Sequence, residues 1–344
     1  MSEHYQQLAD IAAAMVAPGK GILAIDESSG TIKKRFDGVG VENSEANRLD
    51  YRSMLLTTEG LGEYISGAIL FDETLRQTLP DGTSMVQLME KAGILPGIKV
   101  DAGAKALAGF EGELVTEGLD GLRERLAEYA QLGAKFAKWR AVITIADDLP
   151  SRACIEANAH ALARYAALCQ EAGIVPIVEP EVLMDGDHDL ETSFDVTEAT
   201  LKALFNELYE QNVMLEGTVL KASMVISGST AKQRAGVDEV AEATVDCLLN
   251  AVPAATAGVV FLSGGQGDVE ATAHLDAMNR IGEMPWPLSF SYGRALQQAC
   301  LKCWAEDPQG NRAQAQQILL HRARMNGMAA LGQWSEGDED GEGA

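Results

Sequence analysis

Positive charge is scarce in this sequence of 344 residues. It holds 27 Lys and Arg against 51 Asp and Glu, which gives a formal net charge of −24. Nucleic acids and anionic membranes are recognised through basic patches, so a strongly acidic chain is repelled by both. We therefore expect neither nucleic-acid nor membrane partners.

Long apolar runs and disulfide patterns are also missing. No stretch approaches 18 uninterrupted apolar residues, and no basic segment precedes the apolar run near the N-terminus. The odd number and wide scatter of the five cysteines do not suggest a disulfide framework. We expect a cytoplasmic chain with reduced thiols. Cys300 and Cys303 form one CxxC without a second pair, which favours packing on a helix face over metal binding or redox chemistry.

Apolar runs of strand length alternate along the chain with amphipathic helical segments. Eight such runs are found, at 21–27, 64–71, 97–103, 134–142, 175–183, 215–225, 258–265 and 287–293. Alternation predicts a parallel sheet, because parallel neighbours need a crossover connection that is usually a helix. Eight strands favour a (β/α)8 TIM barrel. The rival, a doubly wound open sheet, is disfavoured because no GxGxxG turn follows the first strand.

No linker rich in Pro, Gly or Ser divides the chain. We therefore expect one α/β barrel domain with terminal helices, including an N-terminal helix, over residues 1–334. Residues 335–344 carry five carboxylates without an apolar anchor, which predicts an acidic, flexible and solvated C-terminal tail.

Charged residues fall on the inward parity of five predicted strands, toward the strand ends where barrel enzymes carry their active sites. They are Asp26, Lys99, Asp101, Lys138, Arg140, Glu179, Glu181 and Lys221. Unpaired charges are costly to bury, so these groups should meet at the rim. A structural salt-bridge network is the alternative to an active site.

A desolvated lysine beside a second cation can attack a carbonyl and form a Schiff base, which then acts as an electron sink. Lys221 with Lys138 nearby fits that chemistry, and Glu179, Glu181 and Asp26 are candidates for the proton transfers it requires. The last two strands end in Ser263-Gly264-Gly265 and in Ser291-Tyr292-Gly293-Arg294. Loops at these places in a barrel often bind phosphate through backbone N–H groups and a helix N-terminus.

Several segments, in order, resemble class I fructose-bisphosphate aldolases. They include APGKGILAIDES, GAILFDETL, GIKVDAG, AKFAKWR, GIVPIVEPEVL, LEGTVLKASMV, FLSGGQ and LSFSYGRALQ. The resemblance implies reversible cleavage of fructose 1,6-bisphosphate to dihydroxyacetone phosphate and glyceraldehyde 3-phosphate. It also implies a homotetramer that needs no metal and no cofactor.

The resemblance assigns roles residue by residue. Lys221 matches the Schiff-base lysine, Glu179 the proton shuttle with Glu181 beside it, and Asp26 the acid-base group at the substrate hydroxyl. Lys138 matches a cation that assists both steps. The residues matching substrate contacts are Lys99, Arg140, Arg35 at the far phosphate, and Ser263, Gly264, Gly265, Ser291, Gly293 and Arg294 at the 1-phosphate. Many eukaryotic members end in a tyrosine that reaches the site, whereas the last tyrosine here is Tyr292.

Other functions remain as alternatives. A metal-dependent aldolase would need clustered ligands, and only the segment DGDHDL offers several together; a polar loop capping the next helix explains it equally simply. Another Schiff-base barrel aldolase or a transaldolase would share the lysine but not the SYGR and VEPE segments. A non-catalytic aldolase-like scaffold would be free to lose Lys221, Glu179 or Asp26.

Overall fold

Eight parallel strands close into a barrel in the computed structural model, which describes residues 3–340. The barrel strands are β1 (Gly21–Ile25), β2 (Ile65–Leu70), β3 (Leu95–Lys99), β6 (Phe136–Ile143), β7 (Val175–Val182), β8 (Val219–Ala222), β9 (Gly258–Phe261) and β10 (Leu288–Tyr292). Each strand pairs in parallel with the strands before and after it, and β10 closes on β1. The predicted (β/α)8 barrel is confirmed.

Twelve α-helices are found in residues 3–340, most of them around the barrel. They are α1 (Glu3–Met15), α2 (Ser29–Asp37), α3 (Glu45–Leu56), α4 (Asp72–Arg76), α5 (Met85–Lys91), α6 (Leu122–Gln131), α7 (Arg152–Glu171), α8 (Leu190–Glu210), α9 (Val237–Ala251), α10 (Asp268–Ile281), α11 (Arg294–Glu306) and α12 (Arg312–Ala329). Helix α8 begins at Leu190, because Asp189 accepts a hydrogen bond from Thr192 N and caps the helix there. The DGDHDL segment therefore ends in a helix cap.

The barrel interior is filled by inward side chains of alternate positions. Ile22, Ala24, Ile69, Phe136, Val175, Ile177, Val219 and Val260 are buried in one cluster with Leu8, Ala12 and Met15 of α1. Gly67 and Gly97 leave room for the Phe136 ring, since a Cβ at Gly97 would lie 2.2 Å from it. The inward parity predicted for these strands is the parity observed.

Two local predictions differ from the structure. The sixth predicted strand is shorter, because Leu215–Gly217 form a turn of 3-10 helix and β8 begins only at Val219. Thr218 N donates to Leu215 O and tightens that turn. In addition, a small antiparallel hairpin between β3 and α6, β4 (Ala104–Ala106) and β5 (Leu114–Thr116), was not predicted. Its three-residue strands are too short to show a periodic pattern.

Residues 335–340 of the expected tail keep mostly exposed side chains but make contacts with the fold. Glu336–Asp340 form a 3-10 helix, and Glu339 accepts hydrogen bonds from Arg322 and from Trp334 Nε1. Burial raises the pKa of Glu339, but Arg322 outweighs that effect and lowers it below the ordinary value. The acidic composition is offset here by a buried guanidinium on α12, which no local pattern in the tail announces. Residues 341–344 of the expected tail lie outside the described residues.

None of the helices within residues 3–340 is long and apolar enough to cross a bilayer.

Candidate active site

A cavity of about 460 Å³ opens at the carboxyl ends of the barrel strands. Every residue predicted for the site lines it except Gly265; the lining includes Asp26, Arg35, Lys99, Lys138, Arg140, Glu179, Glu181, Lys221, Ser263, Gly264, Ser291, Gly293 and Arg294. The inward positions of different strands thus converge on one cavity at the barrel mouth, as the parity argument expects.

Lysines and carboxylates alternate across the mouth in a row that we call the charge chain: Lys221, Glu179, Lys138 and Asp26. Lys221 Nζ on β8 lies 3.1 Å from Glu179 Oε1 on β7, and Lys138 Nζ on β6 lies 3.3 Å from Glu179 Oε2. The same Lys138 Nζ lies 2.7 Å from Oδ2 of Asp26, which directly follows β1. Glu179 therefore bridges the two lysines that were expected side by side. The side chains of Lys221, Lys138 and Glu179 are 6%, 5% and 3% exposed, so these charged groups are almost fully desolvated.

The charges in this chain keep both carboxylates ionised. Burial raises the pKa of Asp26, but the nearby charges of Lys138 and Lys221 outweigh it and hold the pKa far below its ordinary value. Burial likewise raises the pKa of Glu179, and Lys138, Lys221 and Arg140 together bring it below the ordinary value. Burial lowers the pKa of Lys138, while Asp26 and Glu179 raise it well above the usual lysine range. At neutral pH this segment therefore holds a permanent cation between two anions.

Two further ion pairs flank the chain. Arg140 Nε donates to Glu181 Oε2, and Lys99 Nζ lies 2.5 Å from Asp101 Oδ1. Asp101 also accepts a hydrogen bond from Gly103 N at 3.1 Å, so the carboxylate and Lys99 are fixed together at the end of β3. These pairs hold two cations at the rim with part of each side chain open to the cavity.

Two adjacent loops form an uncharged backbone surface beside these groups. Gly264 and Gly265 have φ of +39° and +104°, a left-handed conformation that glycine adopts without strain. Gly265 does not line the cavity itself; a Cβ there would lie 3.0 Å from Met184 Sδ and 3.9 Å from Arg294 Nη2. Ser291 Oγ is buried without a hydrogen-bond partner in the described chain, next to the N-terminus of α11 at Arg294. A helix N-terminus with free donors beside it is suited to an anion.

The strand-eight segment KASM is anchored by its serine. Ser223 Oγ accepts from Val182 N at 3.0 Å and donates to Val182 O at 2.9 Å. This side chain joins β8 to the end of β7, beside Glu181, where the backbone pairing between the two strands has already ended. Ser223 therefore has a packing role at this place in the fold.

Part of the cavity wall was not anticipated. Glu27, Ser28, Thr31 and Lys34 also line it, from the end of β1 into α2. Glu27 has the outward parity of the first predicted strand, and Ser28, Thr31 and Lys34 lie beyond the end of that strand. Within residues 3–340, no three His, Cys, Asp or Glu side chains are grouped so that they could hold a metal ion.

The fold and the site together define a class of protein: a (β/α)8 barrel enzyme with a lysine inside a buried acid-base cluster. The family profile described as "Fructose-bisphosphate aldolase class-I" matches residues 7–344. A Xanthomonas campestris pv. campestris protein named "Probable fructose-bisphosphate aldolase class 1" is 67% identical over 329 residues, covering 96% of this chain and 98% of its own. "Fructose-bisphosphate aldolase 4, cytosolic" of Arabidopsis thaliana is 51% identical over 341 residues, covering 99% of this chain and 86% of its own.

A solved structure is also similar over nearly the whole fold. It is the fructose-bisphosphate aldolase of Plasmodium falciparum, crystallised in complex with TRAP and a small-molecule inhibitor, with a TM-score of 0.96 and 46% identity over 97% of both chains. The present chain belongs to the class I fructose-bisphosphate aldolases. It is a metal-independent lyase that cleaves fructose 1,6-bisphosphate reversibly through a lysine Schiff base. The alternatives of a different barrel aldolase and of a non-catalytic scaffold are set aside by this membership.

Proposed function

We propose that Lys221 is the lysine that forms the Schiff base. The observation that carries this assignment is the 3.1 Å contact between Lys221 Nζ and Glu179 Oε1 inside the barrel mouth. An amine must lose a proton before it can attack a carbonyl, and a carboxylate within hydrogen-bond reach can accept that proton. The other lysine of this buried cluster, Lys138, is held between two carboxylates. Its pKa is raised, which makes it a poor nucleophile.

In the first half of the reaction, Lys221 passes a proton to Glu179 and attacks C2 of the open-chain ketose. The new N–C bond forms as the carbonyl π pair moves to oxygen, and one proton passes from the nitrogen to that oxygen to give the neutral carbinolamine. Glu179 then returns a proton to that oxygen, water leaves, and the iminium forms. Glu181, beside Glu179 on the same strand, is the second carboxylate of this step and is held by Arg140.

In the second half, Asp26 accepts the proton of the C4 hydroxyl. The C3–C4 electron pair moves toward the iminium to give an enamine, and glyceraldehyde 3-phosphate leaves. The proton that Asp26 took up, passed on directly or through water, protonates C3 and restores the iminium. Addition of water to the iminium then releases dihydroxyacetone phosphate and free Lys221. Lys138 supports the anionic form of Asp26 before the hydroxyl proton is transferred, as the 2.7 Å contact between them indicates.

The two phosphate groups are assigned to two sets of residues at the cavity. For the 1-phosphate we assign Ser263, Gly264, Gly265, Ser291, Gly293 and Arg294. For the sugar hydroxyls and the distal phosphate we assign Lys99, Arg140 and Arg35. The free hydroxyl of Ser291 and the start of α11 beside it support the first group.

Borohydride trapping tests the Schiff-base assignment. Reduction in the presence of dihydroxyacetone phosphate should inactivate the enzyme and attach the adduct to the Lys221 peptide, as located by mass spectrometry. Lys221→Ala and Lys221→Arg should both abolish trapping, because a guanidinium stays protonated and is not a nucleophile. Lys105→Arg, at an exposed lysine, is the matched control and should trap normally. An adduct at any other lysine would refute the assignment.

We further propose that the protein is a cytoplasmic homotetramer acting on small phosphorylated sugars. The proposal is supported by family membership and by the similarity to a relative named as cytosolic. Light scattering should give a particle mass of four times the 36.7 kDa chain. A monomer at micromolar concentration would contradict the assembly, and recovery of the enzyme in a membrane or secreted fraction would contradict the location.

A further inference from the structure

Glu27 follows Asp26 directly but faces the other way. Its side chain is 4% exposed, and it lies where the end of β1 meets α2, α3 and α11, at one wall of the cavity. Its carboxylate contacts neither Lys138 nor Lys221 among the described ion pairs. Glu27 is therefore outside the acid-base chain, although it is adjacent in sequence to one of its members.

The rigid scaffold holds Glu27 from two sides. Arg52 Nη2 on α3 donates to Glu27 O at 2.9 Å and lies 3.8 Å from Glu27 Oε2. Gln297 Nε2 on α11 lies 3.4 Å from Glu27 Oε1 and donates to Ala24 O at 2.6 Å. Arg52 and Gln297 are both 1% exposed, so the carboxylate is anchored in the helix layer and has little freedom.

Arg35 depends on this anchored carboxylate. Arg35 Nη1 donates to Glu27 Oε1, and within residues 3–340 this is the hydrogen bond and ion pair that fixes the side chain. Arg35 otherwise extends from α2, whose neighbouring Lys33 and Lys34 are exposed. A long cationic side chain would sample several rotamers without such a partner. Its second terminal nitrogen, Nη2, lies 3.4 Å from the place that a Cβ would take at Gly293, which lines the cavity.

We infer that Glu27 is a positioning residue that orients Arg35 for the distal phosphate of the bisphosphate substrate. The inference rests on the proposed role of Arg35. One terminal nitrogen is held by Glu27, while Nε and Nη2 keep their donors for a phosphate oxygen. Binding a phosphate then requires no search among Arg35 rotamers, because the side chain is already placed. A substrate without the distal phosphate gains nothing from this arrangement, so Glu27 sets the preference for bisphosphates over monophosphates.

The test compares two substrates on the full-length enzyme. Cleavage of fructose 1,6-bisphosphate and of fructose 1-phosphate is measured for the unmodified enzyme, Glu27→Gln, Arg35→Ala and the double variant. We define the substrate ratio as kcat/KM for fructose 1,6-bisphosphate divided by kcat/KM for fructose 1-phosphate. We expect Glu27→Gln to lower this ratio by about tenfold, because the charge-assisted hydrogen bond to Arg35 becomes weaker without the carboxylate charge. The double variant should have the same ratio as Arg35→Ala alone, since both changes remove one interaction.

Glu73→Gln is the matched control. Glu73 pairs with Arg48 and Arg52 in the same network but does not line the cavity. This variant should lower the thermal midpoint and leave the substrate ratio within about twofold. If Glu27→Gln does not fold, Glu27→Asp is measured in its place; the shorter side chain keeps the charge but withdraws from Arg35, so the ratio should fall there as well.

The outcomes separate the inference from the proposal on which it rests. A lowered ratio in Arg35→Ala with an unchanged ratio in Glu27→Gln overturns the positioning role alone. Equal losses on both substrates in Glu27→Gln also overturn it, because they indicate a structural role. An unchanged ratio in Arg35→Ala overturns the assignment of Arg35 to the distal phosphate, and the role of Glu27 with it.

Discussion

Replacing Lys138 by methionine tests the central charge chain most directly. Lys138 Nζ lies 2.7 Å from Asp26 and 3.3 Å from Glu179, and its side chain is 5% exposed. Methionine fills similar space without charge. Glu179 would keep Lys221 at 3.1 Å, whereas Asp26 would lose its ion-pair partner. Removing one partner of a buried ion pair costs about 3–5 kcal/mol, so we expect the free energy of unfolding to fall by that amount at neutral pH.

The free energy of unfolding of Lys138→Met should depend on pH in the opposite direction to that of the unmodified protein. In the unmodified protein the pKa values of Asp26 and Glu179 are lowered, so their stabilisation is present above the ordinary carboxylate values and is lost only as the pH falls through the lowered ones. In Lys138→Met, burial of Asp26 is opposed by less positive charge, and its pKa should rise above the ordinary value. A raised carboxylate pKa destabilises the fold as the pH rises through it. Between pH of about 7 and about 5, the variant should gain stability while the unmodified protein stays nearly constant.

Urea unfolding followed by circular dichroism at both pH values measures these differences. Lys33→Met is the matched control, because Lys33 and its partner Asp37 are 60% and 54% exposed. An exposed pair is worth at most about 1 kcal/mol, and its loss should leave the pH dependence unaltered. We also expect Lys138→Met to lose about 10²- to 10⁴-fold in cleavage rate. Parallel pH dependences for Lys138→Met and the unmodified protein would refute this account of the charge chain.

Two further predictions concern the tail and the barrel interior. Deleting residues 335–344 should leave the cleavage rate within a few-fold but destabilise the fold by about 1–3 kcal/mol, because buried Arg322 loses its partner Glu339. Unchanged urea unfolding would contradict this contact, and a large fall in kcat would mean that the tail supplies a proton-transfer group. Gly97→Ala should destabilise the barrel by about 1–3 kcal/mol or more, because the new methyl group would lie 2.2 Å from the Phe136 ring. Gly103→Ala is the control and should cost less in the same unfolding assay, because Gly103 has a positive φ but open space around it.

The helix layer and the chain termini show where sequence reasoning ended. The hairpin of β4 and β5 depends on short segments with little periodicity, and so do the contacts of residues 336–340. Glu27 was overlooked for a different reason. Glu27 has the outward parity of the first predicted strand, so a search for inward charges does not include this carboxylate, which faces the helices.

The eight strands and the residues that point into the barrel could be read from the sequence, because the alternation of side chains along a strand is a local property of the backbone. The same alternation brought Lys221, Glu179, Lys138 and Asp26 to the mouth. Which of these charges pair was decided only by the tertiary structure. β1 and β6 are separated by two strands in the barrel, so Asp26 and Lys138 meet across the mouth only after closure. Glu27 likewise meets Arg52 of α3 and Gln297 of α11, which are 25 and 270 residues away along the chain, because such contacts are set by packing in space and not by spacing along the chain.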